Sequence, residues 1–163
     1  MKKILAVILA AVPMFVLAKD NPDEDFFQSA SEGGIAEVQA GTDAQSKATN
    51  PSVRAFAAMM VKDHSAANEK LKKLAAAKGI ELPDSPSLKQ KAMNKKSDLK
   101  EGASFDADYI KGQVKAHEDT VSLLQKEIDN GKDPQAKAFA REMLPKVKMH
   151  LEHANKLAAA VTH

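Results

Sequence analysis

The sequence predicts an all-α protein, a four-helix bundle made of two antiparallel helical hairpins that are joined by one long crossover. Apolar residues recur at steps of three or four along four long stretches, which is the period of one helix face. Nothing between these stretches reads as a strand. The first and last connections span only two or three residues, which makes the helices that they join antiparallel neighbours, whereas the middle connection occupies residues 79–103.

The N-terminus predicts export. Lys2 and Lys3 precede an apolar run that extends to Ala18, where Lys19 begins a polar segment. This pattern is typical of a secretory signal peptide over residues 1–18, cleaved near Ala18 and Lys19. The run holds about 15 residues, fewer than the roughly 20 that span a bilayer, so we expect no stable membrane span after cleavage. An uncleaved anchor is the alternative, and a periplasmic or secreted location follows from cleavage.

Composition limits the function of the remaining single domain, residues 19–163. Without the signal peptide the chain has 22 basic and 22 acidic residues, and it contains one tyrosine and no tryptophan. A neutral surface with few aromatic side chains predicts no nucleic-acid binding. The absence of cysteine excludes disulfides, thiol catalysis and thiolate metal sites. Any metal ion must therefore be held by histidine, methionine or carboxylates.

The helix boundaries follow from capping signals. An asparagine or aspartate directly before a proline opens three of the helices. Ser104, followed by acidic residues, is expected to open the third helix, and Gly79 and Gly131 are expected to end the second and third. The predicted helices span residues 22–48, 51–78, 104–130 and 134–162.

The crossover at residues 79–103 contains Pro83 and Pro86, and then a lysine-rich piece from Leu88 to Lys100. We interpret this piece as a short solvated helix. An arm that binds anions is the alternative.

The second and fourth helices look like copies of each other. Residues 50–60 align without gaps on residues 133–143, with Pro51, Phe56 and Met60 repeated at the matching positions. A duplicated helical hairpin is the natural interpretation, and it predicts two halves related by a pseudo-twofold axis. No comparable match between the first and third helices was apparent.

One polar residue interrupts each apolar seam: Glu37, His64, His117 and His150. Counted from the first hairpin turn, Glu37 and His64 lie at the same height to within about one turn. His117 and His150 differ by three residues in height, about 4.5 Å. Pro145 is expected to kink the last helix and to bring His150 level. The sequence thus predicts one polar layer in the middle of the bundle.

Two interpretations of this layer remain open. It is either a metal site with one carboxylate and up to three imidazoles, or an inert layer in which Glu37 is hydrogen-bonded by histidines. Methionines near the seam histidines would favour copper, although such residues are usually core filler. The auxiliary candidates are Met60, Met143, Met149 and His153. Asp63, Glu118 and Asp119 flank the histidines and could orient them, but solvated charge is the preferred interpretation.

Four motifs together resemble an exported bacterial ferritin-like family known as domain of unknown function 4142. They are residues 33–37, residues 60–64, the segment from Phe105 to His117, and Leu144-Pro145 with His150-Leu151. The resemblance covers the whole mature chain. It implies a ferritin-like fold, no established activity, and Glu37, His64, His117 and His150 as the residues of interest.

The sequence departs from di-iron ferritin-like proteins, which place a glutamate three residues before a histidine on two helices. Here Val61 and Val147 stand at those positions. A dinuclear ferroxidase site is therefore disfavoured, and one transition metal ion, copper, zinc or iron, is expected. The alternative is an envelope or stress-related interaction module with an inert polar layer. A homodimer or an envelope partner is compatible with either, an oxidoreductase would need an open coordination position, and no catalytic motif is present.

Overall fold

The structure, a computed structural model, describes residues 22–98 and 100–161, and all regular elements in these ranges are α-helices. The predicted fold class, an all-α bundle of two hairpins with one long crossover, is confirmed. The predicted signal peptide lies outside the described residues. The helices are α1 (Pro22–Lys47), α2 (Pro51–Ala76), α3 (Leu88–Asp98), α4 (Gly102–Asn130) and α5 (Pro134–Val161).

Helices α1 and α2 form one hairpin, and α4 and α5 form the other. The hairpins pack together through α1 with α4 and α2 with α5, while α3 lies against α1 and α4. α3 begins with a capping box, in which Ser87 and Gln90 bond reciprocally, and its first residue, Leu88, is 85% exposed. No helix in the described part of the chain has the length and apolar character that crossing a membrane would require.

The capping signals are confirmed at the starts of α2 and α5 and not at α4, while Asn21, the predicted cap of α1, lies outside the described residues. Asn50 accepts a hydrogen bond from the Ser52 N–H, and Asp133 accepts one from the Gln135 N–H, both at 2.8 Å. The expectation that Ser104 caps α4 is wrong, because this helix begins two residues earlier, at Gly102. Gly102 has a φ of +58°, a conformation that glycine adopts without strain, so the chain turns into the helix before Ser104 is reached.

The end of α2 is a Schellman motif. The Ile80 N–H donates to the Ala75 carbonyl at 3.0 Å, and the Gly79 N–H donates to the Ala76 carbonyl at 3.1 Å. Gly79 occupies the left-handed position with a φ of +69°. Gly131 follows α4 for a different reason, since its φ is −59° and a Cβ there would lie 2.2 Å from Oε1 of Glu127.

The core consists of two apolar clusters, one toward each end of the bundle. The first apolar cluster lies near the α1–α2 turn, and the second lies near the α4–α5 turn. A polar layer of buried histidines separates them. The largest buried side chains of the first cluster are Val53, Phe56, Met60, Phe105, Tyr109, Ile110 and Leu157, and those of the second are Phe26, Phe27, Leu71, Leu124, Phe139, Met143 and Val147.

Each hairpin turn is held by a buried aspartate from the other hairpin. Asp106, in the first turns of α4, accepts hydrogen bonds from the N–H and hydroxyl of Thr49 and from the Asn50 N–H. Asp23, at the start of α1, accepts from the N–H groups of Lys132 and Asp133 at 2.7 and 3.2 Å. The two aspartates therefore join the hairpins at opposite ends of the bundle.

These two aspartates extend the internal repeat into α1 and α4. The separation of 83 residues that relates Asn50 to Asp133 also relates Asp23 to Asp106. The pattern Asp-x-Asp-aromatic-apolar begins at both aspartates. The match between these helices is still weaker than that between α2 and α5, because only Asp23, Asp25 and Val38 are identical to their equivalents, and the shared role of the aspartates is visible only in three dimensions.

A pair of buried carboxyl groups lies beside the α4–α5 turn. Asp23 and Glu127 are each only 4% exposed, and the two side chains share a hydrogen bond. Burial, this hydrogen bond and the negative charge of Asp23 raise the pKa of Glu127 to about 7, and Lys137 opposes the shift. Glu127 therefore carries its proton in mildly acidic solution and loses it near neutrality.

We expect Asp106→Ala to lower the free energy of unfolding by about 2 to 4 kcal/mol, because the variant leaves buried N–H donors of the α1–α2 turn without an acceptor. Urea unfolding at neutral pH measures the change. The matched control is Asp108→Ala, two residues on, which removes only a partly exposed ion pair with Lys100 and should cost below about 1 kcal/mol. Equal losses in the two variants would contradict the role assigned to Asp106.

Glu127→Gln should change how stability depends on pH. A carboxyl group whose pKa is raised on folding stabilises the protein fully below its unfolded pKa, near 4.5, and this contribution is lost as pH rises through about 7. The variant and the wild type should therefore be about equally stable at pH 5. At pH 8 the variant should be more stable by about 1 to 2 kcal/mol, after allowance for screening by water.

Urea unfolding at both pH values tests this expectation, and the difference between the two proteins isolates Glu127 because all other groups are common to both. Glu118→Gln, at an exposed position of the same helix, is the control, and its difference from wild type should not change with pH. A Glu127→Gln variant that loses stability at pH 8 would refute the interpretation.

Candidate metal centre

Three buried histidines from three helices meet in the middle of the bundle. His64 lies on α2, His117 on α4 and His150 on α5. Their ring centroids are 5.5 to 5.6 Å apart in every pair, and one nitrogen of each ring lies within 4.8 Å of the others. His64 is 9% exposed, and the other two are 1% exposed. We refer to these three residues as the histidine triad.

The three histidines lie on the buried, mostly apolar faces of their helices, so their rings lie inside the bundle, as the sequence predicted. α5 runs without interruption through Pro145, and His150 reaches the triad despite its expected offset in height. The ring of His150 is as close to His64 as it is to His117. The three imidazole rings therefore form one layer, even though an offset in height was expected for His150 along its helix.

Hydrogen bonds fix the orientation of two of the rings. Nδ1 of His117 bonds the main-chain carbonyl of Gln113 at 2.8 Å, and Nε2 of His150 bonds Oδ2 of Asp63 at 3.0 Å. Both partners are acceptors, so these ring nitrogens carry the hydrogen. The other nitrogens, Nε2 of His117 and Nδ1 of His150, then present lone pairs, and like Nε2 of His64 they have no hydrogen-bond partner in the described structure.

Burial favours the neutral form of His64 and of His150. It lowers the pKa of His64 to about 3, with contributions in the same direction from His117, His150 and Lys146. Burial also lowers the pKa of His150, and outweighs the hydrogen bond to Asp63, which acts in the opposite direction. Neutral imidazoles keep the lone pairs that a metal ion requires.

Glu37 of α1 lies beside the triad. It is 7% exposed, its carboxyl accepts a hydrogen bond from the side chain of Gln113, and its Oε2 has no partner. Burial raises its pKa, while His117 and Gln113 oppose the shift. The set of groups whose ligand atoms all lie within 4.8 Å contains the three histidines and does not include Glu37.

The auxiliary candidates lie outside the triad. Met60 is fully buried in the first apolar cluster, and Met143 belongs to the second. His153 is exposed, and its ring packs edge-on against Phe56 with centroids 5.2 Å apart. Met149 is 51% exposed.

Three residues beside the triad contribute more to the site than the sequence pattern predicts. Asp63 was interpreted as solvated charge, but it is only 21% exposed and it orients His150. Gln113 binds both His117 and Glu37, and its place one turn before His117 on the same seam was a usable signal. Tyr109 is buried with its hydroxyl unpaired, and burial and Glu37 raise its pKa. Only the fold reveals that Tyr109 lies near Glu37.

A cavity of about 70 Å³ adjoins the triad. Glu37, His64 and His150 line its inner part, and the exposed residues Ser29 and Lys146 line its outer part. The cavity therefore connects the polar layer with the solvent. The rest of the wall is largely apolar and includes Leu71, Leu123, Leu124, Phe139, Met143 and Val147.

The triad can hold a metal ion, because both the type of its ligand atoms and the distances between them are suitable. Neutral imidazole nitrogen is a good ligand for zinc, copper and iron. A tetrahedral ion with bonds of about 2.0 to 2.1 Å holds its nitrogens about 3.4 Å apart. With the present nitrogens within 4.8 Å of one another, each would have to move by less than about 1 Å toward the ion.

Solved structures share this fold. A DUF305 protein from Streptomyces coelicolor, described as secreted, aligns with a TM-score of 0.76 at 15% identity, over 88% of this chain and 94% of that chain. A conserved hypothetical protein from Mycobacterium tuberculosis, rv2844, aligns with a TM-score of 0.65 at 14% identity, over 85% and 91%. Likeness at this level of identity shows a common fold only.

The sequence comparison agrees with the resemblance found in the motifs. The chain matches no curated protein. Residues 14–157 match a protein family described as a domain of unknown function, DUF4142. This match spans most of the sequence and includes the triad and Glu37, and the chain therefore belongs to the DUF4142 family.

Proposed function

We propose that this protein is an exported bundle that binds a single transition metal ion, copper, zinc or iron, through His64, His117 and His150, with Glu37 beside the ion. The observation that carries the proposal is the convergence of three imidazoles from three helices, with one nitrogen of each within 4.8 Å of the others and one nitrogen of each without a hydrogen-bond partner. When bound, such an ion supplies a Lewis acid, and a redox centre if it is copper or iron.

The energetic cost of the triad supports a ligand. Each buried polar group without a partner costs about 1 to 3 kcal/mol, and the triad contains three such nitrogens. An inert polar layer would be expected to pair these groups with each other or with Glu37. Instead, Gln113 and Asp63 each bond one nitrogen of a ring and leave the other nitrogen without a partner, which is how neighbouring acceptors commonly orient histidine ligands.

The donor set favours one ion over two. A dinuclear site of the ferritin type needs six ligands, including a glutamate three residues before a histidine on two helices. Val61 and Val147 occupy those positions, and Val147 is buried in the second apolar cluster. Three imidazoles and one carboxylate suffice for a single ion.

Glu37 can supply the negative charge that would compensate a cation in this layer. Its burial favours the protonated form, so binding of a cation would release its proton and leave a carboxylate that compensates part of the cation's charge. Export is supported by the signal peptide predicted for residues 1–18 and by the similarity in fold to a Streptomyces coelicolor protein described as secreted.

Metal titration tests the proposal. Protein stripped with a chelator should take up one equivalent of Zn²⁺, Cu²⁺ or Co²⁺ at neutral pH, and the ion should raise the melting temperature because it binds the folded state. His64→Leu should weaken binding by more than about 100-fold. Asp63→Asn, which alters only the partner of His150, should weaken it by about 10- to 100-fold.

His153→Leu is the matched control, since His153 is a histidine of the same bundle that lies outside the triad. Its metal affinity should equal that of the wild type. Calorimetry gives stoichiometry and affinity, and elemental analysis of protein purified without chelator identifies the ion. Absence of uptake by the wild type for all three ions would refute the proposal.

The metal-free protein distinguishes a binding site from an inert layer. We expect His64→Leu to raise the free energy of unfolding of metal-free protein by about 1 kcal/mol, because it replaces a buried, unpaired imidazole with an apolar side chain of similar size. The change in His153→Leu should stay within about 0.5 kcal/mol. An envelope or stress-related interaction module with a structural polar layer predicts the opposite, a clear loss of stability in His64→Leu. Urea unfolding in the presence of a chelator decides between them.

A further inference from the structure

Two of the residues that line the cavity beside the triad are small, and in the internal repeat they correspond to two of the histidines. The separation of 83 residues that relates the hairpins places Gly34 at the position of His117 and Ala67 at the position of His150. Both small residues line the cavity. The second hairpin therefore supplies two imidazoles to the layer, and at the equivalent places the first hairpin has two small residues. The amide of Asn68 occupies the place of a side chain at position 34, whereas Ala67 leaves room in the cavity.

Residues with buried, unpartnered polar atoms line this cavity. Glu37, which is 93% buried, and His150, which is 99% buried, are among the lining residues, and Oε2 of Glu37 and Nδ1 of His150 have no hydrogen-bond partner. His64, with its unpaired Nε2, lines the cavity as well. His117 is not among the lining residues, and both hairpins contribute to the wall, so the cavity reaches the triad at His64 and His150.

The size of the cavity limits what it can admit. About 70 Å³ is several times the 10 to 15 Å³ needed for one water molecule, so the cavity has room for a ligand of two or three heavy atoms. The amide of Asn68 fills the place that a side chain at position 34 would take. A Cβ built on Gly34 would lie 1.9 Å from Oδ1 of Asn68. A side chain at position 34 would therefore displace this amide.

The charges around the cavity favour an anion once a metal ion is bound. A divalent ion and Lys146 together contribute three positive charges, and the two acidic side chains in the wall, Glu37 and Asp63, can offset at most two of them. A net positive charge therefore remains in a small space with largely apolar walls. Without the ion this excess is lost.

We infer that the metal centre has an open coordination position toward the cavity, and that a small inorganic monoanion of two or three atoms binds the ion there, in the part of the cavity that Ala67 lines. This inference rests on the proposed metal binding. It extends that proposal by naming where a further ligand can approach the ion and which chemical class of ligand binds there.

Azide binding to the Cu²⁺- or Co²⁺-loaded protein tests the inference. In the wild type, azide should produce a saturable change in the visible spectrum of the ion, and none in the metal-free protein. Ala67→Leu fills the cavity and should weaken azide binding at least tenfold, while metal affinity changes less than threefold. Ala66→Leu, at the exposed neighbouring position, is the matched control and should bind azide as the wild type does.

A second variant keeps the test decisive if Ala67→Leu does not fold. Lys146→Gln removes the positive charge at the outer part of the cavity and should weaken azide binding by about threefold to tenfold at low salt, whereas the exposed control Lys148→Gln should have no effect.

Each outcome has a distinct meaning. Metal uptake without any response to azide would overturn the open position and leave the metal site intact. Equal azide affinity in the wild type, Ala67→Leu and Lys146→Gln would show that the anion reaches the ion by another route, and would also overturn the inference. A wild type that binds no metal would remove the proposed function itself.

Discussion

The constraint on which this structure depends is the burial of three imidazoles between two apolar clusters. Hydrophobic packing on both sides of the layer excludes water and keeps the pKa of His64 far below that of an exposed histidine. It also removes the solvent that would otherwise pair the ring nitrogens. A bundle that only needed stability would have apolar residues at these positions. The layer therefore has a cost that the rest of the core must offset.

The two hairpins contribute unequally to the layer although they are copies in sequence and in architecture. At the ends of the bundle the symmetry is kept, since Asp23 and Asp106 each hold the turn of the opposite hairpin. In the middle it is broken, because one hairpin supplies His117 and His150 and the other supplies His64 and Glu37 from different positions of the repeat. Divergence between the copies has thus produced an asymmetric site that a cavity adjoins.

Much of the fold was predictable because its signals are local. Asn50 and Asp133 before prolines mark helix starts, and the period of apolar residues marks the buried faces. The convergence of the histidines was also predictable from counting heights along rigid helices. The start of α4 was not, since a positive φ at Gly102 leaves no distinctive pattern around it.

The immediate surroundings of the site were harder to predict. Whether Asp63 meets water or His150 depends on how α2 and α5 are rotated against each other, and a rotation of a few tens of degrees decides it. The cavity could not be predicted either, because a void depends on the side chains that surround it and not on Gly34 and Ala67 alone. Sequence periodicity fixes which face of a helix is buried more closely than it fixes which atoms touch.

The long crossover between α2 and α4 has a consequence for the order of folding. Each hairpin consists of contacts that are close in sequence, and such contacts form fast because they close short loops. The contacts of His64 with the other two histidines, and both aspartate bonds to the turns, join residues more than 50 positions apart. They can form only when the finished hairpins dock. The complete set of imidazoles is thus a product of the last step of folding, and a chain that has not docked offers at most the two histidines of its second hairpin.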